Sequence, residues 1–481
     1  MLFNSLEFAL FFIVVYSLYL LLNHRFQNLM LLAASYIFYG AWDWRFLSLL
    51  VISTLVDYFC GLKVYESNNK TKRKLYLMFA VFANLSILGF FKYFNFFISN
   101  LQKLLGLFSI SIQPHIINIV LPIGISFYTF QTLSYTIDVY RGEIKPTKSF
   151  LDFSLFVSFF PQLVAGPIER AKNLLTQILS PRTLTITQLY DGMFLIFWGL
   201  FQKIFVADNL ATLVNPLFSK AAPYDGGMVL IAMYAFAFQV YCDFAGYSNI
   251  AVGLGKMMGF ELMINFNLPF FATNPREYWK RWHISLSKWF RDYVYIPLGG
   301  NKKGNLITLR NIIITMFLAG LWHGAAWTKI IWGVYHGILL IVYGVLEPLL
   351  EKVRIPKEFF IERLYFVLRV LFFFHLWGLG LLIFRAQTLT QCLQVLHGLF
   401  FNFQITHNFL HSFLFFTYFT FFLLAVEILQ YLKNDLIIIL KWPLAARTAF
   451  LMIAICLVLY VQVLASGALI EGGKEFVYFQ F

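Results

Sequence analysis

The chain has 481 residues, of which 60% are apolar and 12% are charged, and its mean hydropathy is +0.72. Soluble domains are about 45–50% apolar and about 25% charged, so this composition excludes a water-soluble protein and predicts an integral membrane protein. The net charge of +14 does not indicate nucleic-acid binding. The basic residues lie in short stretches between apolar runs, where they set topology and meet membrane lipids with anionic headgroups.

The apolar runs predict membrane-crossing helices along the whole chain. Residues 6–22 predict a retained helix rather than a signal peptide, because neither a basic stretch nor a small-residue cleavage site flanks them. Further apolar runs, including 29–41, 46–62 and the short 151–165, follow along the chain, as in a protein that crosses the membrane several times. The hydrocarbon core that each crossing must span is about 30 Å thick. We predict an all-α polytopic protein with about 11 transmembrane helices plus interfacial or re-entrant helices, in a single domain over residues 1–481.

All four cysteines lie in apolar stretches without a CxxC spacing, namely Cys60, Cys242, Cys392 and Cys456. This pattern predicts buried free thiols, and it supports neither a disulfide framework nor a metal site.

Two apolar segments contain proline and glycine residues that would break a helix. They read LPIGISFYTFQTLSY at 121–135 and FFPQLVAGPIER at 159–170. Broken backbone at membrane depth is tolerated only inside protein or beside a cavity, so both segments are predicted to form a tunnel wall.

Residues 269–300 are too charged to cross a membrane and too aromatic for an ordinary loop. At helical spacing one face is aromatic and apolar, and it holds Trp279, Trp282, Leu286, Trp289, Phe290 and Tyr293; the opposite face holds Lys280, Arg281, Lys288 and Arg291. The pattern predicts an interfacial amphipathic helix, which by itself could be a mere membrane anchor. His283 lies at the edge of the aromatic face, either as a structural hydrogen-bonding residue or as a group facing a cavity.

His323, in the segment GLWHGAAW at 320–327, is the strongest candidate for chemistry. A histidine at membrane depth is costly and usually faces a bundle interior or a cavity. Its neutral imidazole suits removal of a proton from a hydroxyl group, whereas the alternative is a packing residue. His336 ranks lower, because on one unbroken helix it would lie about 20 Å and roughly 220° away from His323.

Asp243 is an intramembrane carboxylate that needs a partner. It could orient a histidine or cap a neighbouring helix, and the sequence favours neither.

Several motifs, most of them within residues 120–340, stand in the order found in the membrane-bound O-acyltransferase family. They are LPIGISFYTFQTLSY, FFPQLVAGPIER, YCDFAGYSNIAVGLGKMMGF, NFNLPF, PREYWKRWHISLSKWFRDYVYIPLGG and GLWHGAAW with WGVYHG. The chain resembles most closely the bacterial members that serve alginate, peptidoglycan and cellulose O-acetylation. The resemblance implies a ring of tilted helices around a central funnel.

The resemblance also implies the reaction and its participants. His323 matches the family's near-invariant histidine, and His283 matches its second histidine. An acyl thioester, acetyl-CoA or a related donor, would serve as substrate without a bound cofactor. The acetyl group would pass across the bacterial inner membrane to an SGNH-type acetyltransferase that modifies a polysaccharide.

These lines together predict a role for each site residue. His323 would be the general base, and His283 would orient the donor, stabilise charge or move the proton. Trp279, Trp282 and Trp322 would shape the tunnel. Basic residues would attract the phosphates of CoA, although they would bind anionic lipid equally well; these are Arg276, Lys280, Arg281, Lys302 and Lys303.

Two other classes of function stay open from the sequence. A transporter or flippase of a lipid-linked or acyl precursor would explain the tunnel segments, but it predicts several paired intramembrane charges. A scaffold that recruits the outer acetyltransferase predicts that histidine substitutions leave acetylation intact.

Overall fold

The computed structural model describes residues 1–110, 117, 119–352, 356 and 358–466, with side chains described as far as residue 461. Throughout this part of the chain the structure is all-α, 78% helical and without a strand. The described residues form two compact units. The prediction of one domain over residues 1–481 stays a prediction.

The first unit holds Met1–Gly192 and Ala251–Met263. Its helices are α1 (Leu6–Leu21), α2 (His24–Asp43), α3 (Leu47–Glu66), α4 (Lys70–Leu88), α5 (Phe94–Gly106), α6 (Ile125–Arg141), α7 (Phe150–Ser158) and α8 (Ala171–Leu179). Polar N-caps begin several of them; for example, the Asn69 side chain accepts hydrogen bonds from the backbone at the start of α4.

The second unit holds Met193–Ile250 and Ile264–Phe481. Its helices are α10 (Asp208–Ser219), α12 (Pro275–Arg281), α13 (Ile284–Phe290), α14 (Asn305–His323), α15 (Trp327–Leu350), α16 (Phe359–Arg385), α17 (Leu389–Phe401), α18 (His407–Lys433) and α19 (Leu444–Ser466). Two further helices, α9 (Ile186–Phe201) and α11 (Gly226–Met257), contribute residues to both units.

Nine helical stretches in the described residues are long and apolar enough to cross a membrane, so the expected number of about 11 is not confirmed. The stretch His24–Glu66 alone has 43 residues, about twice the 20 that one crossing needs. It contains both predicted runs, 29–41 and 46–62, because only a single 3₁₀ turn separates α2 from α3.

The two segments rich in proline and glycine are indeed broken, and they pack against each other. α6 begins only at Ile125, after Gly124 with φ of +78°. A Cβ at Gly124 would lie 2.8 Å from the carbonyl oxygen of Leu163, so the close approach of these backbones requires glycine. Most of the second segment is buried. That the segments line a tunnel stays a prediction.

One group of buried polar side chains in the first unit joins three helices through hydrogen bonds. Asp57 on α3 accepts hydrogen bonds from Asn84 on α4 (2.6 Å) and from Thr136 on α6 (2.5 Å). A buried carboxylate needs such donors, and here they join three helices.

The cysteine prediction holds for three residues and is wrong for one. All four thiols are free, but Cys456 is exposed. Only 11% of the 18-residue stretch Leu444–Val461 of its helix, α19, is buried inside the structure, so the apolar run around Cys456 faces outward.

Candidate active site

The predicted single amphipathic helix over residues 269–300 is wrong, because the backbone breaks at His283. α12 ends at Arg281 and α13 begins at Ile284, and His283 between them has a φ of +42°. The turn is fixed from outside the segment, since the backbone N–H groups of Ile284 and Ser285 donate to Asn265. Beyond α13 the chain continues as a π-helix, Arg291–Tyr295.

His283 is held as a neutral, oriented imidazole. It is 1% exposed, and burial lowers its pKa to about 3. Its Nδ1 lies 3.1 Å from the side-chain oxygen of Asn265, whose amide group donates to Ser248 on α11. With that oxygen as acceptor, Nδ1 carries the proton and Nε2 carries the lone pair.

His323 is the last residue of α14, where the chain turns back into α15. Gly324 is extended, and α15 begins at Trp327. The two helices approach so closely that a Cβ at Gly333 would lie 2.2 Å from the carbonyl oxygen of Met316. Gly320 on α14 and Gly333 on α15 meet at this crossing and permit the close approach.

In the structure the two predicted histidines pack against the same tryptophan, Trp322. The ring centroid of Trp322 lies 5.9 Å from that of His283 and 5.0 Å from that of His323. Trp322 and both histidines are buried. A group bound at His323 therefore lies one aromatic ring away from His283.

A cavity of about 540 Å³ opens beside His323. On α14 its lining follows one helical face, at Thr308, Ile312, Thr315, Met316, Ala319 and His323. The rise of 1.5 Å per residue makes this face about 22 Å long. Basic and polar groups line the cavity at Arg291 and Asn301, and the hydrogen bond from Asn311 to the carbonyl of Gly300 holds that segment beside the first turns of α14.

The tunnel residues predicted from the sequence lie in different places. Trp279 and Arg276 line the cavity with His323, and Arg276 also pairs with Glu347 at 2.6 Å. Trp282 is buried among aromatic rings, 5.0 Å from Phe266.

Arg281 and Asp243 both form ion pairs. Arg281 lies 2.9 Å from Glu277. Asp243 on α11 accepts from Lys203 at 2.8 Å, and the same ammonium lies 2.9 Å from Asp208. The sequence left a histidine or a helix end open as the partner of Asp243 and did not indicate Lys203, which stands in an apolar run.

Near His323 lie Trp332, which was not singled out from the sequence, and His336, which was ranked lower. Trp332 packs with its ring centroid 5.0 Å from His323, and His336 packs 4.9 Å from Trp332. The separation of His336 from His323 applied only if one unbroken helix carried both, and the chain breaks between α14 and α15. The glycine and alanines after His323 were the signal for the break.

Lys329 and Asn265 were also missed. The ammonium of Lys329 donates to the carbonyl of Phe384 and lies 3.5 Å from the centroid of that ring, which packs 5.5 Å from His323. Asn265 stands in NFNLPF, a motif that carried the family resemblance but no residue role. Among the residues that the structure describes, no group of three His, Cys, Asp or Glu side chains could hold a metal ion.

The sequence profile of the membrane-bound O-acyltransferase family matches residues 8–384. The chain belongs to this family. It is therefore a multi-pass membrane protein and an acyltransferase.

Named relatives include bacterial acyltransferases. The "Probable alginate O-acetylase AlgI" of Pseudomonas putida is 42% identical over 406 residues, which cover 84% of this chain and 81% of that protein. The "Peptidoglycan O-acetyltransferase" of Helicobacter pylori is 36% identical, over 78% of this chain and 74% of its own. The "Teichoic acid D-alanyltransferase" of Streptococcus thermophilus is 35% identical over a stretch that covers 46% of this chain and 56% of that protein.

Proposed function

We propose that this O-acyltransferase takes an acetyl group from acetyl-CoA on the cytoplasmic side of the bacterial inner membrane and delivers it for O-acetylation of an extracytoplasmic polysaccharide. Alginate is the first polysaccharide to test, because the relative with 42% identity is named for it. An SGNH-type acetyltransferase on the outer face is the proposed partner.

The cavity along α14 is the observation that carries the proposal. The pantetheine arm of CoA has thirteen bonds between phosphorus and sulfur. A fully extended polypeptide spans at most about 3.3–3.6 Å for every three backbone bonds. At the same extension per bond, the pantetheine arm reaches about 15 Å. That reach fits within the roughly 22 Å between Thr308 and His323. The thioester would lie at His323, and the phosphates would lie toward Arg291.

The chemistry then follows from the two histidines. His323 takes the proton of the acceptor hydroxyl as its oxygen attacks the carbonyl carbon of the thioester. The carbon–sulfur bond breaks, and the proton returns from His323 to the departing thiolate. His283 is neutral and oriented by Asn265, so its role is to orient the donor beside Trp322.

The test uses the full chain in sealed vesicles with acetyl-CoA on the cytoplasmic side and a soluble SGNH-type acetyltransferase with alginate on the other. We expect CoA release and acetyl transfer in the wild type and neither in His323→Ala. The matched control is His375→Ala, which alters an exposed histidine on α16 and should leave both rates unchanged. Passage of intact donor without thioester cleavage, equal in all three proteins, would make the chain a transporter.

A further inference from the structure

Trp279, Trp332 and His336 form one group of rings, here called the indole–imidazole cluster, in which Trp332 and His336 are buried and Trp279 is half-buried. The ring centroid of His336 lies 4.9 Å from Trp332 and 5.4 Å from Trp279, and the two indoles lie 6.1 Å apart. Trp332 and His336 stand one turn apart on α15, while Trp279 comes from α12. Two separate parts of the sequence thus converge here.

Every polar nitrogen in this cluster lacks a hydrogen-bond partner within the part of the chain that the structure describes. These nitrogens are Nε1 of each indole and both ring nitrogens of His336, and all of them are buried. An indole nitrogen is always a donor, and a neutral imidazole carries one N–H group. The cluster therefore holds three N–H donors that are closed off from water.

Such a concentration of unsatisfied donors has a free-energy cost in the folded protein. Buried polar groups are almost always hydrogen-bonded, and an apolar ring would fill the same space without that cost. The cost is explained if the donors meet their partner only during the reaction, since catalytic hydrogen bonds are often absent before substrate binds.

The position of the cluster indicates which partner that is. Trp279 lines the cavity, and Trp332 packs 5.0 Å from the ring of His323. In acyl transfer the oxygen that develops charge lies about 3 Å from its donors, and the attacking hydroxyl lies about 3 Å from the base. Trp332 packs directly against the base, and Trp279 reaches the cavity wall, so the cluster lies next to the place where the reacting carbonyl would bind.

We propose that the indole–imidazole cluster binds the carbonyl oxygen of the donor thioester and stabilises the oxyanion formed there; this inference rests on the proposed function. When the acceptor oxygen bonds to the carbonyl carbon, the C=O electron pair moves onto that oxygen and His323 holds the acceptor's proton. The indole N–H groups donate to the oxyanion, and His336 orients both indoles. Collapse of the intermediate restores C=O and breaks the C–S bond, and the thiolate receives the proton.

The test removes one N–H group and keeps an aromatic ring in place. In the vesicle assay, Trp332→Phe should lower kcat about 100-fold, the effect of losing one oxyanion donor, while KM for acetyl-CoA stays close to the wild-type value. The control is Trp377→Phe. Trp377 on α16 is also buried, and its Nε1 also lacks a partner in the described part of the chain, but its ring packs 5.3 Å from Tyr278, whereas Trp332 packs against His323; kcat should therefore change little in Trp377→Phe.

A second variant guards against misfolding. If Trp332→Phe does not fold in detergent, then Trp279→Phe, altering a ring in the cavity wall, should show the same loss of kcat. Wild-type kcat in either folded variant, or equal losses in Trp377→Phe, overturns the oxyanion role. If the oxyanion role is overturned but His323→Ala is inactive in the same experiment, the proposed function still stands. If the wild-type protein cleaves no thioester, the proposed function itself fails.

Discussion

The side-chain oxygen of Asn265 lies 3.1 Å from Nδ1 of His283, although 18 residues separate them in the chain. The same oxygen accepts from the backbone N–H and the hydroxyl of Ser285. One amide thus fixes both the turn at His283 and the tautomer of its ring. Buried donors and acceptors of this kind are costly to leave unpaired, so the position of His283 depends on Asn265.

The neutral state of His283 predicts how stability depends on pH. The folded state keeps its pKa near 3, whereas the unfolded chain binds a proton below about 6.5. The contribution of His283 is fully present above pH 6.5 and is lost as the pH falls toward 3, by about 1.4 kcal/mol per pH unit. Unfolding in detergent at several pH values should show this slope for the wild type and a shallower one for His283→Gln. Parallel curves would show that burial does not hold the imidazole neutral.

The ion group of Lys203 predicts a large effect on stability. Lys203 is fully buried beside the buried Asp243 and the half-buried Asp208, so Lys203→Met leaves both carboxylates without that cation. Breaking a buried ion pair in this way costs about 3–5 kcal/mol, and we expect a comparable loss in the free energy of unfolding in detergent. Lys203→Met combined with Asp243→Asn should recover part of it. Full stability of the single variant would mean that the group contributes nothing.

The close approach of α14 and α15 predicts that the site depends on Gly333. A Cβ there would overlap the carbonyl of Met316, so Gly333→Ala must separate the helices that carry His323 and Trp332. Overpacking of this kind costs about 1–3 kcal/mol, and we expect lower thermal stability together with slower acetyl transfer. Gly89→Ala is the matched control, because nothing lies within 4 Å of a Cβ at that position. Equal behaviour of the two variants would rule out the steric argument.

The catalytic candidates were found from the sequence, and their arrangement was not. A histidine in an uncharged apolar run, as at His323, is informative by itself because burial at membrane depth is costly. The bend at His283 could not be predicted, since helical spacing alone favours one continuous helix over residues 275–290. Its cause is Asn265, a residue that lies outside the segment and contacts it only in the fold.

The sequence by itself determined the all-α membrane class, the family and the two histidines, because hydropathy and motif order are local properties of the chain. Only the tertiary structure decided that His283 packs against Trp322 beside His323, that Lys203 pairs with Asp243, and that His336 lies near His323 through Trp332. Each of these contacts joins residues on different helices or across a break. The distances between these residues depend on how the helices turn back and pack against one another. Residue spacing along a single helix does not predict that packing.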